Sequence, residues 1–153
     1  MYGGPVIREL GPGHFVDLSE RVAVLGRIAV ADPAEAAALA ARHEAGGADA
    51  VVLDPVLVDP LLTEGPDISL LRQVAAATIL PVLEGPVDDA VEVLDPAGRD
   101  GDHLPELVAA LTAAVVAGAQ MVVVDDVAVA RRTVDVAAQV RAHGADDRQD
   151  GAD

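Results

Sequence analysis

The sequence predicts an α/β fold in which short parallel strands alternate with helices. Four segments are short and aliphatic, with no alternation of polar and apolar residues, which is typical of strands buried on both faces of a sheet. Helical patterns separate these segments, as expected for crossover helices between parallel strands. Aromatic residues make up only 1% of the chain, so the core is built from small and β-branched side chains. Repeated units of this kind fit a (β/α) barrel and an open doubly wound sheet equally well.

The first elements can be assigned in order from local signals. Residues 1–21 are rich in glycine and proline and are predicted to be an irregular lead-in. Val22–Val30 is the first strand candidate. A helix follows, with Asp32 as N-cap and Pro33 at its first position. This helix ends at Gly46-Gly47.

The remaining elements continue the same alternation up to the end of the domain. We predict a second strand at 50–53, a helix at 67–78 and a third strand at 79–84. After these we predict a short helix at 87–94, a longer helix at 107–115, a fourth strand at 121–125 and a last helix at 128–142. We therefore expect one α/β domain over residues 22–143. Residues 144–153 are expected to be a disordered tail.

Two octapeptides give the sequence a weak internal repeat. Gly47–Asp54 reads GADAVVLD, and Gly118–Asp125 reads GAQMVVVD. Each follows an alanine-rich helix. In each, a glycine ends the helix, a buried strand follows, and an aspartate stands at the end of the strand. Asp54 and Asp125 are the last residues of the two octapeptides.

The charge composition excludes one class of function. Ten arginines, with no lysine, face 26 acidic residues, which gives a net charge of −16. Nucleic-acid binding requires cations that neutralise phosphates, usually with aromatic rings beside them. This chain has few of either, so we expect no nucleic-acid partner.

Cysteine content and hydropathy indicate the compartment. The chain has no cysteine, which excludes disulfides and thiolate metal sites. The opening MYGGPVIREL lacks a basic region followed by an apolar run, and no apolar run reaches the ~18 residues of a membrane span. We expect a cytoplasmic protein with no membrane partner. The four histidines lie singly, so no metal site is expected either.

Three stretches resemble the dihydropteroate synthase family of pterin-binding enzymes. They are residues 16–54, 68–85 and 106–142, which resemble that family's opening strands, its penultimate unit and its last unit. The family fold is an eight-stranded (β/α) barrel of about 250 residues. The resemblance therefore implies a shortened (β/α) barrel, similar to half of a barrel, with about four parallel strands and flanking helices. An open doubly wound sheet is the alternative.

The family's catalytic positions are replaced in this chain. Val56 stands where the family's Asp-Pro-Gly turn has glycine, and its Ser-Arg-Lys falls on Val87, Asp88 and Asp89. The arginine and histidine of the last-strand motif fall on valine and aspartate. A departing diphosphate needs cations, whereas a carboxylate ~4 Å away repels it by about 4 kcal/mol at an effective dielectric of ~20. We therefore predict no catalytic residues and no turnover by the family's mechanism.

Carboxylates at the predicted strand ends are the candidate ligand-binding residues. Asp54, Asp88, Asp125 and Asp126 lie at or just beyond strand carboxyl ends, where parallel α/β folds form their sites. One interpretation is an acidic pocket for a cation, an amine or a pterin-like ring. The other is that short carboxylates cap the following helices, which suits Asp88 and Asp126.

The resemblance and the lost cations together lead to a functional expectation. We expect a non-catalytic binding or regulatory subunit linked to folate metabolism, with no cofactor and a pterin as its ligand. Two alternatives stay open: an enzyme that uses the strand-end carboxylates as acid and base, and a pure assembly module. An arc of four strands leaves its edges unpaired, so we expect a homodimer that completes the barrel, or a heteromer with a full-length family member.

Overall fold

The computed structural model describes residues 7–19, 21–58, 68–94 and 104–150. A hairpin comes first, β1 (Ile7–Gly11) with β2 (His14–Asp17), followed by a five-stranded sheet. The sheet strands are β3 (Ala23–Ile28), β4 (Ala50–Leu53), β5 (Val82–Glu84), β6 (Val91–Val93) and β7 (Met121–Val124). The helices are α1 (Pro33–Gly46), α2 (Pro55–Val58), α3 (Ile68–Ala77), α4 (Leu104–Val116) and α5 (Val127–Asp150). No helix among the described residues is both long and apolar enough to cross a membrane.

The five strands of the main sheet are parallel and lie in the order β5-β4-β3-β7-β6. Helices flank the sheet, so the predicted α/β fold with a parallel sheet is confirmed. The central strand β3 has β4 on one side and β7 on the other. These are the strands of the two similar octapeptides. Gly47 and Gly118, which follow α1 and α4, both adopt a left-handed conformation (φ 99° and 112°), as a glycine helix stop does.

Helices cover one face of the sheet. Side chains that alternate along the strands, such as Val24, Val51 and Val122, are fully buried against the helices. We call this the outer face. Its two clusters contain most of the buried aliphatic residues, as expected where crossover helices pack on a parallel sheet.

The hairpin and a loop cover the opposite face, which we call the inner face. Leu25, Val52 and Val123 point to this side and pack against Leu10 and Leu18 from the hairpin region. Val87, Ala90 and Leu94 also pack there, and the first two belong to the loop between β5 and β6. The inner face is therefore filled by the chain itself.

The loop at residues 85–90, the crossover loop, joins strands at opposite edges of the sheet. In register, Glu84 is level with Ile28, while Val91 is level with Val24. In a flat sheet their Cα atoms would be roughly 23 Å apart, about the full reach of seven extended Cα steps. The loop contains a turn and so is not fully extended. The sheet must therefore curve toward its inner face, as an arc of a barrel does.

Three sequence predictions need correction. Residues 87–94 do not form a helix, because Val91–Val93 is strand β6, paired with β7, which raises the strand count of the sheet from about four to five. The lead-in is not irregular throughout, since residues 7–17 form the hairpin, whose buried Leu10 packs on the sheet. Helix α5 continues to Asp150, into the region expected to be a disordered tail.

A network of ion pairs ties α5 to the amino-terminal end of β3. Arg131 binds Asp49 through Nη1 at 3.1 Å and donates from Nη2 to the carbonyl oxygen of Val22 at 2.7 Å. Asp49 accepts a second hydrogen bond from the backbone N–H of Val24, at 2.9 Å. The side chains of Arg131 and Asp49 are mostly buried, so this network fixes the helix against the sheet.

Candidate functional site at the carboxyl edge of the sheet

Three charged residues meet at the carboxyl edge of the sheet. Arg27 is the second-last residue of β3. Its side chain is on the same side of the strand as that of Leu25, and therefore on the inner face. Asp54 follows β4 and Asp125 follows β7 directly. Because β4 and β7 flank β3, both carboxylates lie beside the same guanidinium.

Arg27 binds both carboxylates, and the geometry differs between them. Asp125 accepts two hydrogen bonds, from Nε to Oδ1 at 2.9 Å and from Nη2 to Oδ2 at 3.3 Å. Asp54 accepts one, from Nη1 to Oδ2 at 3.1 Å. The three side chains are 25%, 29% and 24% exposed, so water reaches the group without surrounding it. The pKa of Arg27 is raised, chiefly by the hydrogen bond to Asp125, against an opposing effect of burial.

Aspartates also occupy helix N-termini at this edge. Asp54 Oδ1 accepts from the backbone N–H of Val56 at 3.0 Å, at the start of α2. Asp126 Oδ1 accepts from Val129 N at 3.2 Å at the start of α5, and Asp32 caps α1 in the same way. Free backbone N–H groups at helix N-termini are where phosphates bind in many α/β proteins. Here carboxylates of the chain bind them instead.

The candidate residues from the sequence are divided between three places. Asp54 and Asp125 are brought together by Arg27, while Asp126 is exposed and caps α5. Asp88 lies in the crossover loop, where its carbonyl oxygen accepts from Arg8 of the hairpin at 3.1 Å. Its neighbour Asp89 forms an ion pair with the same Arg8 at 3.3 Å. Asp88 therefore contacts the hairpin and does not cap a helix.

Sequence reasoning missed Arg27, the residue at the centre of the site. It is the charged residue in the otherwise apolar stretch VAVLGRIAV, and it is two residues after Leu25 and four after Ala23. Strand alternation places these three side chains on one face. That spacing was the available signal, and it indicates a cation at the carboxyl end of the first strand of the main sheet.

A buried histidine of α1 forms a hydrogen bond with the backbone of Arg27. His43 of α1 is 3% exposed, and its Nε2 donates to the carbonyl oxygen of Arg27 at 2.9 Å. A carbonyl only accepts, so Nε2 carries the proton. Burial lowers the pKa of His43, partly opposed by this hydrogen bond. Gly26 leaves room for the ring, because a Cβ at Gly26 would lie 2.4 Å from His43 Cγ.

The arrangement has one positive and two negative charges, and this limits what it can bind. Asp54 and Asp125 take three of the five N–H donors of Arg27, so an anion that approached the guanidinium would meet two carboxylates beside it. Among the described residues, no group of three or more histidine, cysteine or acidic side chains could hold a metal ion. At this edge the positive charge of Arg27 is therefore neutralised by carboxylates of the chain, and one negative charge is left in excess.

Comparison with solved structures finds proteins whose folds are similar to that of this chain. The chain is similar to dihydropteroate synthase from Xanthomonas albilineans in complex with 7,8-dihydropteroate (TM-score 0.58, 16% identity, covering 86% of this chain and 97% of that one). It is also similar to the Yersinia pestis enzyme with a pterine-sulfa conjugate (TM-score 0.52, 14% identity, covering 90% and 99%). A third dihydropteroate synthetase structure, with a product, has a TM-score of 0.50 at 14% identity.

These likenesses confirm a fold like that of dihydropteroate synthase, in a divergent and shortened form. At such identities they show the fold alone. No model of a known protein family matches the sequence. A search among proteins of curated function finds no match either.

Proposed function

We propose that this protein is a non-catalytic relative of dihydropteroate synthase that acts as a binding or regulatory subunit linked to folate metabolism. The observation that carries the proposal is the pairing of Arg27 with both Asp54 and Asp125. Catalysis of diphosphate departure needs cations directed at the charge that develops on the leaving group. The cation that β3 brings to this edge is already bound by two carboxylates.

The electrostatic balance supports the same conclusion. A diphosphate that approached Arg27 would also approach Asp54 and Asp125. At ~4 Å and an effective dielectric of ~20, each unit of like charge opposes binding by about 4 kcal/mol, which offsets the attraction of one arginine. Asp32, Asp54 and Asp126 place carboxylates at the N-termini of α1, α2 and α5, which disfavours the binding of an anion at these three ends.

The ligand that we propose is a reduced pterin. The support is the shared fold, since two of the similar structures are those of synthases bound to 7,8-dihydropteroate or to a pterine-sulfa conjugate. In this chain such a ligand would reach the carboxyl edge of the sheet, beside Asp54 and Asp125. The inner face below this edge is closed by Val87 and the hairpin, so the ligand would lie on the edge and not deep in a barrel.

Calorimetric titration of the full chain tests the proposal, with a reduced pterin and pyrophosphate as separate ligands. We expect heat of binding with the pterin and none with pyrophosphate. Binding of pyrophosphate by the wild-type chain would contradict the account of Arg27. Absence of pterin binding would remove the ligand and leave an assembly module as the better description.

An enzyme that uses Asp54 and Asp125 as acid and base is not favoured by this geometry. General acid–base catalysis needs a carboxyl group that can exchange a proton with the substrate near neutral pH. Asp54 and Asp125 already accept hydrogen bonds from the guanidinium of Arg27, so these oxygens are directed at the arginine and not at a substrate.

A further inference from the structure

We propose that the side chain of Arg27 is an internal competitor for the ligand of the carboxyl edge. Its guanidinium occupies the carboxylates of Asp54 and Asp125, which would otherwise bind a guanidine-type edge of a ligand, so the chain itself limits the affinity of the site. This competition rests on the proposed function, since it takes place at the edge where that function places the ligand. The ligand class is a planar group with two adjacent N–H donors, which suits an edge with one carboxylate in excess.

Arg27 and a pterin present the same pair of donors to a carboxylate. Nε and Nη2 of Arg27, two N–H groups on one carbon, donate side by side to Oδ1 and Oδ2 of Asp125 at 2.9 and 3.3 Å. The pyrimidine ring of a pterin carries a ring N–H and an amino N–H on one carbon, so it is a cyclic guanidine with the same arrangement of donors. Such paired hydrogen bonds are the strong and geometrically specific form of recognition between a guanidinium and a carboxylate. Asp125 is therefore the residue at which the two groups are chemically equivalent.

The two groups exclude each other at Asp125. Each oxygen of a carboxylate has one lone pair directed to the side that the two oxygens share, and a side-by-side pair of donors uses both of these lone pairs. While Arg27 donates to both oxygens of Asp125, a ring cannot form the same pair of hydrogen bonds there. Nη1 of Arg27 also donates to Asp54 at 3.1 Å, so the guanidinium lies between the two carboxylates. A ligand therefore has to move the arginine before it can bind in this way.

The side chain of Arg27 can move without a change in the sheet. The hydrogen bond from His43 at 2.9 Å holds the backbone carbonyl of Arg27, whereas the long side chain of Arg27 reaches a partly exposed edge and is itself 25% exposed. The apparent dissociation constant of a site rises in proportion as the binding-competent state becomes rarer. An arginine that occupies Asp125 for about nine-tenths of the time therefore raises this constant about tenfold.

Chemical rescue of the full chain tests the competition without a pterin. Arg27→Ala removes the guanidinium, and N-ethylguanidinium supplies the atoms that the substitution removes. At ~20 mM N-ethylguanidinium we expect the midpoint of thermal unfolding of Arg27→Ala to rise by about 3 °C or more, as for a dissociation constant on the order of 1 mM. The wild type should shift by less than about 1 °C, because its own guanidinium occupies the site. Ethylammonium, which has the charge without the planar pair of donors, should stabilise Arg27→Ala less than N-ethylguanidinium does.

Calorimetric titration with dihydropterin tests the consequence for the ligand. We expect Arg27→Ala to bind dihydropterin with a dissociation constant at least about tenfold lower than that of the wild type. Arg21→Ala is the matched control and should leave the constant unchanged, because Arg21 is also paired with an aspartate, Asp49, at 2.5 Å, but at the amino end of the sheet. Circular dichroism establishes that each variant is folded. If Arg27→Ala is not, Arg27→Gln, with a long neutral side chain, replaces it in the titration.

Two results would overturn the proposal: equal thermal shifts of the wild type and Arg27→Ala with N-ethylguanidinium, or equal dissociation constants of the two proteins for dihydropterin. The second result would leave the proposed binding of a pterin standing, because the ligand still binds. If neither protein binds dihydropterin while N-ethylguanidinium stabilises Arg27→Ala and not the wild type, the proposed ligand is wrong and the competition at Asp125 is supported.

Discussion

Arg27 and Asp125 are joined side by side at the carboxyl edge of the sheet, by hydrogen bonds of 2.9 and 3.3 Å that use both carboxylate oxygens. Asp54 binds the same guanidinium from the other side through a single hydrogen bond of 3.1 Å. Two equivalent βα units thus supply one carboxylate each to a cation on the strand between them. The consequences of this arrangement can be measured as stability, as ligand binding and as turnover.

Because Asp125 forms two hydrogen bonds with Arg27 and Asp54 forms one, we expect the two pairs to have unequal coupling free energies. In double-mutant cycles with Arg27→Gln, Asp125→Asn should show a coupling free energy of about 1–2 kcal/mol, and Asp54→Asn about half of that. The groups are about a quarter exposed, so solvent weakens both pairs relative to buried ones. Urea unfolding of the four variants of each cycle provides the measurement. Equal coupling in the two cycles would show that the second hydrogen bond of Asp125 contributes nothing.

Removal of the two carboxylates should create an anion site. We expect the double variant Asp54→Asn, Asp125→Asn to bind pyrophosphate with a dissociation constant on the order of 1 mM or tighter, because Arg27 is then free to pair with it. A double variant with Glu84→Gln and Glu92→Gln controls for net charge, since both residues are exposed and lie on strands β5 and β6. If both double variants bind pyrophosphate equally, the effect is one of overall charge and not of Arg27.

Gly26 and His43 should behave as a coupled pair. A methyl group at position 26 would collide with the imidazole ring, so Gly26→Ala should lower the free energy of unfolding by about 1–3 kcal/mol. In a His43→Ala background the same substitution should cost much less, because the ring is gone. Thermal or urea unfolding of the four proteins measures this. Additive effects would mean that the ring does not occupy the space beside Gly26.

Burial of His43 predicts that acid destabilises the fold. Its pKa is lowered in the folded state, chiefly by burial, so the folded protein binds fewer protons there than the unfolded chain does. The resulting stability is complete above the unfolded pKa of ~6.5 and is lost as pH falls below that value. We expect unfolding free energy to decrease from pH ~6.5 to ~5, and His43→Gln to make this slope shallower. An unchanged slope in the variant would assign the pH dependence to other groups.

The sequence was sufficient to predict the strands that are buried on both faces. β4 and β7 are continuous apolar runs, β3 is apolar apart from Gly26 and Arg27, and their burial makes the local pattern decisive. Asp54 and Asp125 were also candidates because they stand at predicted strand ends, and both bind Arg27.

Long-range pairing explains what the sequence could not predict. Val87, Ala90, Val91 and Leu94 recur at helical spacing, yet Val91–Val93 is a strand because β7, about 30 residues later, pairs with it. The role of Arg27 depends on which face of β3 the helices leave open, and local spacing does not determine that. Asp88 lies outside the site because the crossover loop carries it to Arg8 of the hairpin.

We conclude that the cation at the carboxyl edge is already neutralised by the chain's own carboxylates. A steady-state assay with p-aminobenzoate and dihydropterin diphosphate tests it most directly, with a full-length dihydropteroate synthase as the positive control. The account predicts no dihydropteroate above the uncatalysed background. Measurable turnover that is abolished by Arg27→Gln would contradict it, because it would show that Arg27 can leave Asp54 and Asp125 to stabilise the departing diphosphate.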